Sequence, residues 1–142
     1  MDDSPMPDII VHHHYDDEFA VLIHGNLIYI DQPLIAGGGD AGPTPTELFV
    51  ASYAACAAFS ARRYLARHGL PAEGLEVAAT YSMSDRPPAR VTGIKVLIRP
   101  PTAIPEHRRG VLLAVVEGCE VHNSIMRTPQ IHIDIDSAAR AA

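Results

Sequence analysis

Positive charge is missing from the first part of this 142-residue chain: no arginine precedes Arg62, and the formal net charge is −6. That balance argues against a nucleic-acid-binding surface, which needs a basic patch to neutralise phosphates. Long apolar runs are missing as well. The longest uncharged apolar stretch, 48–61, is shorter than a membrane span requires and ends at Arg62-Arg63. The opening MDDSPMPDII lacks the basic-then-apolar pattern of a signal peptide, so no membrane association and a cytoplasmic location are expected. Cysteine is scarce. Cys56 and Cys119 have no CxxC partners, and zinc-motif spacing is absent. In a reducing compartment such a pair reads as working thiols or inert core residues rather than as a structural disulfide. Ser52 and Ser60 have no nucleophile elbow around them, which leaves hydrolase chemistry without a signature. The Gly37-Gly38-Gly39-Asp40 loop is not followed by Lys-Ser/Thr, and the next helix opens with Pro and Glu, so it is no phosphate cradle.

What is present indicates one domain over 1–142, with 47% apolar residues to build a core. Residues 8–15 (DIIVHHHY) and 19–24 (FAVLIH) read as strands, Gly25-Asn26 as a tight hairpin turn, and 27–31 (LIYID) as the return strand. Pro33 ends it. The three glycines that follow imply unusual backbone angles or a close approach, in a turn where Asp40 caps locally. A long helix comes next. Thr44 suits its N-cap, Pro45 its first position, and Glu47 completes a capping box. Gly69 and Pro71 end it, giving a helix of about 35 Å at 1.5 Å per residue. Apolar on most sides in its first half, it should be the buried spine of the domain, with part of it facing a partner subunit.

Residues 75–84 and 90–98 alternate as strands, joined across Asp85-Arg86-Pro87-Pro88. A second helix runs from Pro105 to near Gly118, and CEVHNSIM adds one or two helical turns. QIHIDID, 130–136, alternates cleanly and should form a last strand. The order predicts an α+β fold, a mostly antiparallel sheet packed against helices. The arginines at 62–67 and 107–109 read as solvated helix faces.

The residues alone leave Cys56 open between packing and reaction. It sits well inside its helix, where the helix dipole gives little help, so a thiolate would need a cation from another segment. Cys119 follows a glycine at a helix end and is the natural second thiol. One cysteine could attack a peroxide and become a sulfenic acid, the other resolving it as a disulfide. His122, three residues past Cys119, then Arg63 and Arg127, are the candidate cations. His12 and His14 share a strand face, and with His24 on the neighbouring strand a metal site is conceivable; solvent-facing histidines are the simpler reading, and no metal is expected.

PTELFVASYAACAAFSARRYLARHG resembles the central helix of the OsmC/Ohr family, the osmotically induced protein C and organic hydroperoxide resistance proteins. The match is the Gly-x-Ser/Thr-Pro-x-Glu-Leu lead-in (Gly42 to Leu48), small residues, then Cys56. GCEVHNSI resembles the family's second cysteine segment, and the order of strands and helices matches from about 8 to 136. The resemblance implies an OsmC-like fold with a long central helix, and an intertwined homodimer with active sites at its interface. It implies a thiol peroxidase for organic hydroperoxides in which Cys56 attacks and Cys119 resolves. No bound cofactor is implied; an external dithiol, small or carried on a lipoylated protein, returns the disulfide to thiols. The chain departs from the pattern in two places. Family peroxidases pair the attacking cysteine with an arginine from the N-terminal β region, where this chain reads VHHHYDDEFAVLIHG. The partnering glutamate position aligns with Thr46, so its neighbour Glu47 stays open between capping box and active-site carboxylate. The alternative is an OsmC-like dimeric small-molecule-binding or redox-sensing protein without efficient peroxidase activity.

Overall fold

A computed structural model describes residues 8–137. It contains strands β1 (Ile9–Tyr15), β2 (Glu18–Ile23) and β3 (Asn26–Ile30), a 3-10 turn at Leu34–Ala36, and helix α1 (Pro45–Arg67). Strands β4 (Glu76–Met83) and β5 (Val91–Arg99) follow, then helices α2 (Glu106–Glu117) and α3 (Glu120–Met126). The chain divides into two compact units. One comprises the chain up to Ala55 together with Val77–Leu97; the other comprises Cys56–Glu76 together with the chain from Ile98 onward.

In the first unit β1, β2 and β3 form an antiparallel sheet in that order. The register pairs Val11 with Val21 and Phe19 with Ile30, which puts Val11, Phe19, Val21 and Ile30 on one face. Val21 is buried. The β2–β3 turn lies one residue earlier than the sequence suggested. Ile23 pairs with Asn26, and His24 (φ 47°) and Gly25 (φ 83°) are the two turn residues. Both left-handed angles are what a tight hairpin turn of matching twist requires. His24 is therefore a turn residue and not a strand residue. In the β4–β5 ladder the Ser82 and Thr92 hydroxyls meet at 3.1 Å and Ser84 N–H donates to Arg90 O at 2.9 Å, an antiparallel register.

Helix α1 begins and ends as its sequence dictates. Thr44 Oγ1 accepts the Glu47 N–H at 3.1 Å and Glu47 Oε1 accepts the Thr44 N–H at 3.0 Å, the reciprocal capping box. At the other end Gly69 (φ 64°) lets Leu70 N–H reach Leu65 O at 2.9 Å, closing the helix with a left-handed cap. Burial along α1 is narrower than a buried spine. Val50, Ala57, Ala61, Tyr64 and Leu65 are buried, whereas Phe49 and Phe59 are 44% and 58% exposed. In the second unit the core is Ala57, Ala61, Tyr64 and Leu65 from α1, Leu112 and Val116 from α2, and Cys119.

No strand forms over 130–136; that expectation is corrected. Its alternating isoleucines, Ile131, Ile133 and Ile135, are 80–88% exposed. Alternation specifies one apolar face, but a strand also needs a neighbour to complete its ladder.

Two glycines test how tightly the chain is folded. A Cβ at Gly42 would lie 2.1 Å from Tyr29 O, a backbone atom, whereas at Gly110, inside α2, nothing lies within 4 Å. Gly42→Ala is expected to lower the thermal midpoint, and Gly110→Ala to raise stability by about 0.5–1 kcal/mol. Thermal denaturation of both variants checks the pair.

Candidate active site

The two cysteines both belong to the second unit. Cys56 is half-buried on α1 and Cys119, 6% exposed, is the N-cap residue of α3. Both are free thiols, and they are close enough for Cys56 to act on the Cys119 proton. The extended backbone of Cys119 (φ −69°, ψ 156°) turns its sulfur onto the first turn of α3, where Sγ accepts the His122 N–H at 3.4 Å. Asn123 fixes the same corner: its N–H donates to Cys119 O at 2.9 Å and its side-chain amide to Gly118 O at 3.2 Å. Burial pushes the Cys119 thiol up from its ordinary value, and the neighbouring Cys56 adds to the rise; the His122 and Val121 amides work in the opposite direction. Cys119 is thus a proton-bearing thiol held against a second sulfur.

The candidate cations fall in different places. His122 is half-buried and meets Cys119 through its main-chain N–H. The Arg63 guanidinium lies over the Phe59 ring, 4.2 Å from its centroid. Arg127 is exposed at the C-terminal end of α3. Glu47, exposed, gives one carboxylate oxygen to the capping box. Arg108 departs from the solvated face read for 107–109: it is half-buried, with Nη1 3.5 Å from the hydroxyl of buried Tyr64, whose ring stacks on His68 at 4.3 Å.

Two of the strand histidines, His13 and His14, have protein partners. His14 Nδ1 is paired with Glu18 and its ring stands 5.5 Å from Tyr29, while His13 Nε2 meets Asp16 O at 2.7 Å. Among the described residues no three His, Cys, Asp or Glu side chains are grouped to hold a metal ion.

One functional-looking residue escaped the sequence reading. Asp31 is 3% exposed and accepts three main-chain amides: Gln32 at 2.7 Å, Gly39 at 3.1 Å and Ala41 at 3.1 Å. These hold its carboxyl below the usual carboxylate range, the Ala41 bond contributing most. Asp31 therefore organises the glycine loop, where the sequence had suggested Asp40. Asp40 has φ 54° and donates its own N–H to Gln32 O at 3.1 Å. An aspartate ending a strand eight residues before the last of three glycines was the available signal.

The family model for OsmC-like proteins matches residues 37–134, and the chain belongs to that family. Solved structures share the fold at low identity. An osmotic stress induced and detoxification response protein from Psychrobacter arcticus superposes with a TM-score of 0.79 at 19% identity, over 87% of this chain and 91% of that one. An organic hydroperoxide resistance protein OsmC from Legionella pneumophila gives 0.64 at 20%, over 87% and 93%. The organic hydroperoxide resistance protein OhrB of Bacillus subtilis gives 0.61 at 17%, over 84% and 91%. No curated protein matches the chain in sequence. Among the described residues no helix is long and apolar enough to cross a membrane.

Because the Asp31 carboxyl is depressed in the folded protein, its stabilisation is fully present above the ordinary carboxylate value and is lost as pH falls through the depressed one. Asp31→Asn should lower the thermal midpoint at pH 7, with a smaller deficit as the pH falls below about 4. Thermal melts of both proteins from pH 7 to pH 3 check the sign.

Proposed function

We propose that the protein is a thiol-dependent reductase of organic hydroperoxides. The reading is supported by the nearness of Cys56 and Cys119, two free thiols 63 residues apart in sequence within one compact unit, in segments that resemble both cysteine motifs of the family. Organic hydroperoxide resistance in the Legionella and Bacillus relatives supports the substrate class.

The Cys56 thiolate attacks the outer peroxide oxygen of ROOH. The O–O bond breaks, the alkoxide takes a proton and leaves as ROH, and Cys56 becomes a sulfenic acid. Cys119 then attacks the Cys56 sulfur; the S–O bond breaks, water leaves, and a disulfide joins the two. An external dithiol, small or on a lipoylated protein, returns both thiols and is itself oxidised to a disulfide. No bound cofactor takes part. The burial of Cys119 keeps its proton in place during the first step, when two adjacent thiolates would repel. Once Cys56 is a neutral sulfenic acid that repulsion is gone, and the amides of the first turn of α3 favour the Cys119 thiolate. The protein acts as a homodimer in the cytoplasm: the exposed Phe49, Phe59 and the isoleucines of 131–135 are apolar surface that a second copy covers. A second reading, a dimeric binding or redox-sensing protein without efficient turnover, is favoured by the absence of any arginine before Arg62.

Cumene hydroperoxide supplied with a dithiol separates the two. Wild type consumes it, Cys56→Ser falls to the uncatalysed background, and Cys119→Ser makes a trappable sulfenic acid but no intramolecular disulfide. No turnover in the wild type leaves the second reading standing.

The remaining site candidates are tested one atom at a time. Glu47→Gln preserves the capping box; a several-fold loss of turnover at unchanged stability assigns the carboxylate to the chemistry, and unchanged turnover assigns it to capping alone. The His122 N–H reaches Cys119 Sγ; disulfide formation near the wild-type rate in His122→Ala assigns the role to that N–H, and slower formation assigns a share to the ring. His122→Pro removes that donor and slows the step about tenfold, the worth of one hydrogen bond of about 1.4 kcal/mol. Rapid-mixing measurement of disulfide formation gives both rates.

A further inference from the structure

A cleft of about 390 Å³ opens on the three-stranded sheet, lined entirely by residues between Val11 and Pro45. Its walls are apolar. Phe19 and Ile30 stand opposite each other in the β2–β3 ladder, Val11 lies on the same face, and Pro45 comes from the first turn of α1. The charged lining residues are Asp17, in the turn between β1 and β2, and Asp31; Gln32 is neutral. No lysine, arginine or histidine lines the cleft among the described residues. The volume suits a small organic molecule.

The two carboxylates have different parts. Asp31 is held in place by three amides, one on Oδ1 and two on Oδ2, and adds negative potential to the cleft. Asp17 is exposed at the mouth and can turn toward a ligand. An apolar tail against Val11, Phe19, Ile30 and Pro45 would carry its head group to this rim. A carboxylate head would meet like charge there, while an ammonium would find a partner. We propose that this cleft is a binding site for small apolar amines, with the tail on the sheet face and the protonated amine paired to Asp17. The inference stands apart from the thiol chemistry, and neither depends on the other.

Octylamine, octanol and octanoate share one tail and differ in head charge. Isothermal titration at pH 7 and low salt should show octylamine binding most tightly, about fivefold better than octanol, with octanoate weakest. The octylamine advantage should shrink in 0.5 M salt, since the pair lies at an exposed rim. Asp17→Asn should remove most of the advantage, whereas Asp85→Asn, the same charge change in the β4–β5 loop, should leave it intact. Octanoate binding as tightly as octylamine overturns the proposal, as does an octylamine preference that survives Asp17→Asn. Equal losses in the Asp17 and Asp85 variants also overturn it, by assigning the preference to net charge.

Discussion

Asp31 accepts three amides from the loop that leads out of its own strand, and the placement of the long helix rests on that arrangement. The segment from Gln32 to Pro43 is rich in glycine, and glycine loses more conformational freedom on folding than any other residue. Left to itself such a loop would not deliver α1 to a defined place. The carboxylate supplies the missing constraint with hydrogen bonds to a charged acceptor, which are stronger than neutral ones. The backbone then packs so closely that a Cβ at Gly38 would lie 2.0 Å from Gln32 O, and one at Gly42 2.1 Å from Tyr29 O. Asp31 N–H donates to Pro43 O at 3.1 Å, so the loop closes on the strand it left, directly before the Thr44–Glu47 capping box. Loop and cap thus fix the start of the helix that bears Cys56.

The same economy marks the thiol pair. Cys119 caps α3 with its sulfur, and the bond that starts the helix also aims the thiol. Burial and the neighbouring sulfur hold the proton on Cys119, and main-chain amides oppose them. A lysine or arginine beside the pair would favour thiolates at all times. Amides and burial instead pull in opposite directions at Cys119, so its proton depends on what stands beside it.

Much of the fold was legible because it is written in local chemistry. Thr44, Pro45 and Glu47 announced the helix start, Gly69 its end, and apolar segments bounded by turn residues, two of them alternating, placed five strands to within a residue or two. What local pattern could not show depended on distant partners. The turn slid from Gly25-Asn26 to His24-Gly25 because ladder pairing, not residue preference, chose the register. The isoleucines of 131–135 alternate as a strand without forming one, since a ladder is a property of two segments. Asp31 and Arg108 were missed for the same reason: one binds amides up to ten residues away, the other approaches a tyrosine 44 residues back. Of the site, the sequence supplied the two cysteines and their order. It could not supply their nearness, nor the His122 N–H that reaches the Cys119 sulfur.

The N-terminal β region carries the sharpest electrostatic contrast with the family pattern. This chain has no arginine or lysine before Arg62, and Asp17, in the turn between β1 and β2, lines an apolar cleft. A carboxylate at the rim of an apolar cleft sets the sign of the potential there, and that sign favours a cationic head group over an anionic one. Cys119 is tuned by burial and main-chain donors, none of which lines this cleft. The two carboxylates of the cleft differ in their hold on the fold: Asp17 is exposed, while Asp31 is buried and accepts three main-chain amides.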